Sequence, residues 1–318
     1  MKTKHQDLIN RLEGCVYTVF TPFNNDHEID YATLDKYIKF LYNSGARKFY
    51  LMAYNSRFSQ LNESEIYELN RFVTMKAKSI NPNNLVIVAE PIHCSTATSI
   101  DFAIHAREVG ADLISLIFRE KFFSDEQVIE HFQKIGKQSK MPILIHEMPF
   151  LSGFDGSQIH WPQSLIRKIS SIEQVVAIKE DAKNDIITKS ILKLEPNIRV
   201  IISGGGKQRL LKFKKYGVKS YLNGISMIDA RIGETFWNAW KNNNNEKINY
   251  IIKNFENPFF NNAVKKYGWH RTNKALLQAA GLMHRRDRMP LKHLSNKEFE
   301  DIKVIYKKIK KNMDKFFK

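Results

Sequence analysis

The sequence predicts an α/β fold, a (β/α)8 TIM barrel followed by a C-terminal helical extension. Three observations carry this expectation. Short apolar runs recur through residues 15–225, and each is followed by a longer segment with helical character. The runs are apolar on both faces, as parallel strands covered by helices must be. Strand signals then stop near residue 230, and the rest of the chain reads as helix.

In chain order the expected strands are "CVYTVFTPF" (15–23), "KFYLMAY" (48–54), "LVIVAEP" (85–91), "DLISLIF" (112–118), "PILIHEMP" (142–149), "VVAIKE" (175–180), "RVIISGG" (199–205) and "SYLNGI" (220–225). Amphipathic stretches lie between them. In "DYATLDKYIKFLYNSGA", Leu34, Tyr37, Ile38 and Leu41 form one face, and a glycine sits near the end. A doubly wound open sheet is the competing arrangement. It usually carries a glycine fingerprint after its first strand, and "TPFNNDHEID" has none. The expected division is a barrel over 1–235 and an extension over 236–318 of about three helices, with a turn at "NNNNEK" and a break at Pro258. In the tail, Ile302, Ile305, Ile309, Met313 and Phe316 recur at helical spacing with lysines opposite, the pattern of a docked helix with a solvated basic side.

Composition narrows the function. A chain of 318 residues, 43% hydrophobic and 26% charged, is ordinary for a globular protein. The net charge of +17 invites a nucleic-acid reading. Lysine is spread along the chain, however, and the densest cluster is the tail helix, so no nucleic-acid partner is expected. The opening "MKTKHQDLINRLEG" has no apolar core of a signal peptide, and no run is long enough to span a bilayer. Two cysteines, Cys15 and Cys94, make no disulfide framework. The expectation is a cytoplasmic protein without a membrane partner.

The chemistry concentrates in "VVAIKED" (175–181), an apolar strand that closes on Lys179. Working residues of these barrels project from the carboxyl ends of the strands. Period-two alternation puts Val175, Ala177 and Lys179 on one face. A lysine walled by apolar groups has its pKa pulled down, and a neutral amine can attack a carbonyl to form a Schiff base. Spacing alone leaves a second reading equally open, in which Lys179 reaches solvent or pairs with Glu180 or Asp181.

Several segments together resemble the dihydrodipicolinate synthase and N-acetylneuraminate lyase family of class I aldolases. "VYTVFTPFNNDHEID" is similar to the family's opening strand, and "AIKED" to the segment carrying its Schiff-base lysine, which implies Lys179. "MPFLSG" resembles a P-x-x-[ST]-G stretch in its neuraminate lyase version, with Leu151 where the synthase has arginine. "NKALLQAAGLMHRRDRMPL" is similar to the terminal helix and R-x-P signature, here Arg288 to Pro290. The resemblance implies a lyase acting on a 2-oxo acid, pyruvate or a 2-keto-3-deoxy sugar acid. It implies a covalent imine on Lys179 with no cofactor, and a homo-oligomer, dimer or tetramer.

The departures matter as much. Where the family holds the pyruvate carboxylate in a G-[ST]-T-G-E loop, this chain reads "AYNSRFSQL". Tyr54 and Asn55 fall at the hydroxyl positions, Ser56 at the second glycine and Arg57 at the glutamate. Asn55 and Ser56 can still donate to a carboxylate. "IFREKFF" puts Arg119, next to Glu120, where the family has its proton-shuttling tyrosine. A guanidinium exchanges protons poorly but clamps anions well. Tyr54 from across the pocket, or His146 on the fifth strand, is expected to move protons instead. Glu147 replaces an asparagine and Glu90 ends the third strand, so with Arg57, Arg119 and His146 they map near one barrel mouth. The expectation is a rewired site in which Arg57, Arg119 and Glu147 meet the substrate. The alternative is that each acid merely neutralises an arginine and none meets a ligand. Gly204 and Gly205, in "SGGGKQ" (203–208), are expected to let a ligand approach the backbone. His93 and Cys94 have no further ligands at metal spacing, so no metal is expected. The alternative function is a non-catalytic ligand-binding or scaffold protein that has lost the shuttling tyrosine.

Overall fold

The computed structural model describes residues 3–118, 123–147 and 160–318. Its centre is a closed barrel of eight parallel strands in sequential order. They are β1 (Gly14–Thr18), β2 (Lys48–Tyr50), β3 (Leu85–Ala89), β4 (Leu113–Leu116), β5 (Ile143–His146), β6 (Val175–Glu180), β7 (Arg199–Ile202) and β8 (Ser220–Leu222), with β8 pairing back onto β1. Each strand falls within one of the eight apolar runs except that β1 opens one residue early at Gly14, so the barrel is the fold that the sequence predicts.

Alternation along the strands builds two cores. Val16, Tyr50, Ile87, Leu113, Leu144, Ala177 and Ile201 fill the barrel interior, joined by Ile9 and Leu12 from the N-terminal helix Gln6–Arg11 and its end. Outward residues such as Tyr17, Phe49, Val88, Ile114 and Ile178 pack under the surrounding helices. Those helices obey the expected chemistry. The helix Tyr31–Asn43 buries Leu34, Tyr37, Ile38 and Leu41, and Asp30 caps it by accepting from the Thr33 amide.

One strand departs from simple alternation. Between β5 and β6, Ile143 pairs with Val175 but Leu144 pairs with Ala177, so Val176 is an extra residue in the ladder. This bulge sends Val175 to the outer core while Val176 and Ala177 join the inner one. Strict alternation predicts Val175 on the face of Ala177 and Lys179; the bulge puts it on the other. Beyond the bulge, His146 and Lys179 are register partners, and Lys179 also pairs with the interior Ile201.

Past β8 the chain is helical. Ala230–Lys241 packs against β1. A near-continuous helical stretch then runs from Asn245 to Tyr267, followed by Trp269–Ala279 and Asn296–Phe316. The sequence predicts a break at Pro258, but the helix continues through it. The backbone instead widens into π-helix over Ile252–Glu256 and again over Pro258–Val264. That wider turn relieves the clash that a proline ring makes in an α-helix. Among the described residues, no helix is long and apolar enough to cross a membrane.

Candidate active site

At the carboxyl ends of the strands lies a cavity of about 450 Å³. Lys179 and Asp181 reach it from β6, Ser203 and Gly204–Gly206 follow β7, and Asn223 follows β8. Tyr54 and Asn55 come from the segment after β2, while Phe260, Val264, Trp269 and His270 come from the extension. The extension thus supplies one wall of the barrel mouth.

Lys179 is 1% exposed, and its Nζ lies 2.7 Å from His146 Nε2 and 2.9 Å from Asp181 Oδ2. Burial pushes the ammonium below its ordinary range, and the Asp181 carboxylate opposes that shift. His146 is fully buried, and burial, then the charge of Lys179, hold it far below an ordinary histidine. Its neutral ring accepts at Nε2 when the lysine is protonated, which places the ring proton on Nδ1. Glu180 faces the other way. Its carboxylate accepts from the Ala182 amide, Thr188 Oγ1 and Arg209. Of the two acids after the lysine, only Asp181 meets it.

A second network lines the opposite wall. Asn55 Nδ2 donates to Thr18 Oγ1 at 3.0 Å, and Thr18 Oγ1 donates to Asn223 Oδ1 at 3.1 Å. Trp269 Nε1 donates to Asn55 Oδ1 at 2.9 Å. Asn223 is 3% exposed, and its Nδ2 has no partner among the described residues. It leaves a buried donor on the cavity wall, where an unpaired amide is costly without a ligand or water. The ring of Tyr54 stands edge-on to His146, centroids 6.2 Å apart. His270 is kept neutral, its pKa pushed down to about 4 by burial and by the Arg57 guanidinium.

The loop residues anticipated as ligands divide. Tyr54 and Asn55 line the cavity. Ser56 does not: its hydroxyl donates to the Val19 carbonyl, and its own carbonyl accepts from Thr21 Oγ1. Arg57 turns into the extension, with Nε 2.6 Å from Asp287 Oδ1 and Nη2 3.0 Å from the His270 carbonyl. It therefore pairs with Asp287 and is not among the residues lining the cavity, where the sequence predicts it to meet the substrate. Glu90 accepts from the Ile117 amide at 2.8 Å. Glu147 is buried but is not among the residues lining the cavity. Gly204 and Gly205 line it, both with φ of 72°. Arg119, Glu120 and the "MPFLSG" stretch lie outside the described residues.

Three contributors escape a reading by motif. Asp181 is visible in sequence only as a possible neutraliser of the lysine. Asn223 is signalled by an asparagine that closes an apolar strand run. Trp269 carries no signal, because it is 214 residues from the Asn55 that it contacts.

The sequence model of the dihydrodipicolinate synthetase family matches residues 11–309. An uncharacterised DapA-like lyase of Pyrococcus abyssi is 21% identical over 239 residues, covering 74% of this chain and 77% of that protein. Among solved structures, dihydrodipicolinate synthase from Oceanobacillus iheyensis superimposes with a TM-score of 0.83 at 19% identity, over 96% of this chain and 99% of that one. N-acetylneuraminate lyase from Fusobacterium nucleatum does so with a TM-score of 0.80 at 17% identity, over 94% and 99%.

Proposed function

This chain belongs to the dihydrodipicolinate synthetase family, and on that premise we propose a class I lyase that captures a 2-oxo acid as an imine on Lys179. The observation that carries this reading is the amine itself. Lys179 Nζ is buried on the cavity wall, between His146 Nε2 and Asp181 Oδ2, with burial lowering its pKa. A lysine so placed gives up a proton more readily than one in water, and the neutral amine is the nucleophile. The iminium formed is the electron sink for making or breaking a carbon–carbon or carbon–oxygen bond. The chemistry then calls for no metal and no organic cofactor.

The substrate class is pyruvate or a 2-keto-3-deoxy sugar acid. Asn55 and Asn223, whose Nδ2 has no partner among the described residues, are the donors for its oxygens. Tyr54, on the cavity wall, is the candidate to move a proton at the substrate carbon. His146 touches the amine and is not among the cavity-lining residues, so its part is to orient Nζ. Arg119 is assigned as an anion clamp from its place in the sequence. The same reading makes the protein a cytoplasmic homo-oligomer.

One observation favours a second reading, a ligand-binding protein without catalysis. Ser56 and Arg57, two of the three residues replacing the carboxylate loop after Tyr54, are spent on structural contacts. Borohydride reduction with pyruvate, 2-oxobutyrate and 2-oxoglutarate, followed by peptide mass spectrometry, separates the two. An adduct on the Lys179 peptide, lost in Lys179→Ala, is expected. Saturable binding of these acids with no adduct from any would leave the non-catalytic reading standing.

A further inference from the structure

We propose that Asp181 is the acid–base catalyst of imine formation, carrying protons from the Lys179 nitrogen to the oxygen that leaves as water. This rests on the lyase reading above and adds a residue to it. A lysine held as an ammonium cannot attack a carbonyl. Two protons must leave nitrogen, and two must arrive on oxygen, before the iminium stands alone.

Three groups crowd the end of β6, and the geometry separates them. Glu180 is committed to Arg209, Thr188 and the Ala182 amide, behind the strand. His146 lies 2.7 Å from Nζ but is fully buried and absent from the described cavity wall, so it cannot follow the departing oxygen. Asp181 meets both requirements. Its Oδ2 is 2.9 Å from Nζ, and the residue lies on the cavity wall at 6% exposure. Gly204 leaves the carboxylate room there: a Cβ at that position would stand 2.9 Å from Asp181 Oδ1.

The step balances. Asp181 takes one proton from the ammonium, and the amine attacks the carbonyl carbon to give an ammonium–alkoxide adduct. The protonated Asp181 returns that proton to the alkoxide oxygen. It takes a second from nitrogen, leaving a neutral carbinolamine. Delivery of this second proton to the hydroxyl breaks the carbon–oxygen bond, and water departs. The nitrogen lone pair forms the iminium, and Asp181 ends as it began, an anion now paired with a cationic imine.

The test is rapid-quench borohydride trapping on the full chain, with pyruvate or whichever of the panel labels the wild type best. Adduct on Lys179 is quantified over time in wild type, Asp181→Asn and Asp181→Ala. Both variants are expected to form adduct about 100-fold more slowly, the scale of a lost general acid–base. Formate is expected to restore about tenfold in Asp181→Ala, whose vacated space admits it, and nothing in Asp181→Asn. Rescue by a small acid is a readout that mere structural support would not give, and it requires a folded chain. Trapping in Asp181→Asn within about threefold of wild type, or a slow Asp181→Ala that formate does not help, overturns the proposal. A wild type that forms no adduct is a different failure, that of the lyase reading itself.

Discussion

Arg57 and Asp287, 230 residues apart, form a buried ion pair with Nε 2.6 Å from Oδ1 and side-chain exposures of 1% and 0%. It joins the loop after β2 to the segment following the Trp269–Ala279 helix. Nη2 adds bonds to Asp287 Oδ2 and the His270 carbonyl. An arginine anticipated at the ligand is thus a clamp between the barrel and its extension.

Breaking that pair leaves the buried Asp287 carboxylate without its hydrogen-bonded guanidinium, which costs about 3–5 kcal/mol. Arg57→Ala is therefore expected to lower the denaturation midpoint sharply. The paired change Arg57→Met with Asp287→Leu should recover most of the loss, because neither charge then remains buried. Chemical denaturation of the three variants checks this. An Arg57→Ala protein of native stability whose KM for the 2-oxo acid alone has risen would return Arg57 to the substrate.

Gly204 offers a controlled test of the carboxylate beside Lys179. Gly204 and Gly217 share a left-handed backbone, with φ of 72° and 74°. A Cβ at Gly204 meets Asp181 Oδ1 and Lys183 Cε, whereas one at Gly217 meets nothing within 4 Å. Alanine at either position should cost about 1–2 kcal/mol of stability from the backbone alone. Only Gly204→Ala is expected to slow adduct formation on Lys179. Equal trapping rates in the two variants would mean that the Asp181 position is not held by this contact.

Lys274 ties the extension to the segment that follows β1, its Nζ donating to the Thr21 carbonyl at 2.6 Å. Burial pushes its pKa from 10.5 down to about 7, with Asp287 opposing and Arg57 reinforcing the shift. The unfolded chain therefore binds a proton that the folded chain releases between about pH 7 and 10.5. Across that window folding becomes more favourable as pH rises, by up to ~1.4 kcal/mol per unit from this group. Lys274→Met should remove that increment, leaving a flatter urea-midpoint profile between pH 7.5 and 9.5 (a range chosen to lie inside the window). An unchanged slope would show that Lys274 keeps its charge when folded.

Hydrophobic period and punctuation are enough to specify the architecture. Eight apolar runs became eight strands, and the face of Leu34, Tyr37, Ile38 and Leu41 was legible because burial follows helical spacing. Lys179 was legible too, since an ammonium closing an apolar strand at the barrel's carboxyl end is conspicuous against its neighbours. Local rules reach only as far as local geometry. They missed the bulge at Val176, which costs one residue of register and turns Val175 to the outer core. They also read Pro258 as a break where the helix could widen instead.

The partners of the site were decided by tertiary structure alone. Charge and position in the sequence could not say whether Arg57 meets a ligand or Asp287, because that choice depends on where a segment 230 residues later comes to rest. Nor could they say which of Glu180 and Asp181 turns toward the lysine. Adjacent residues at a strand end point to opposite sides. Only the closed barrel, with Arg209 waiting behind β6 and the cavity in front, sends Glu180 to the one and Asp181 to the other. The sequence determined that a lysine stands at the mouth of a barrel; packing decided which acid shares its proton.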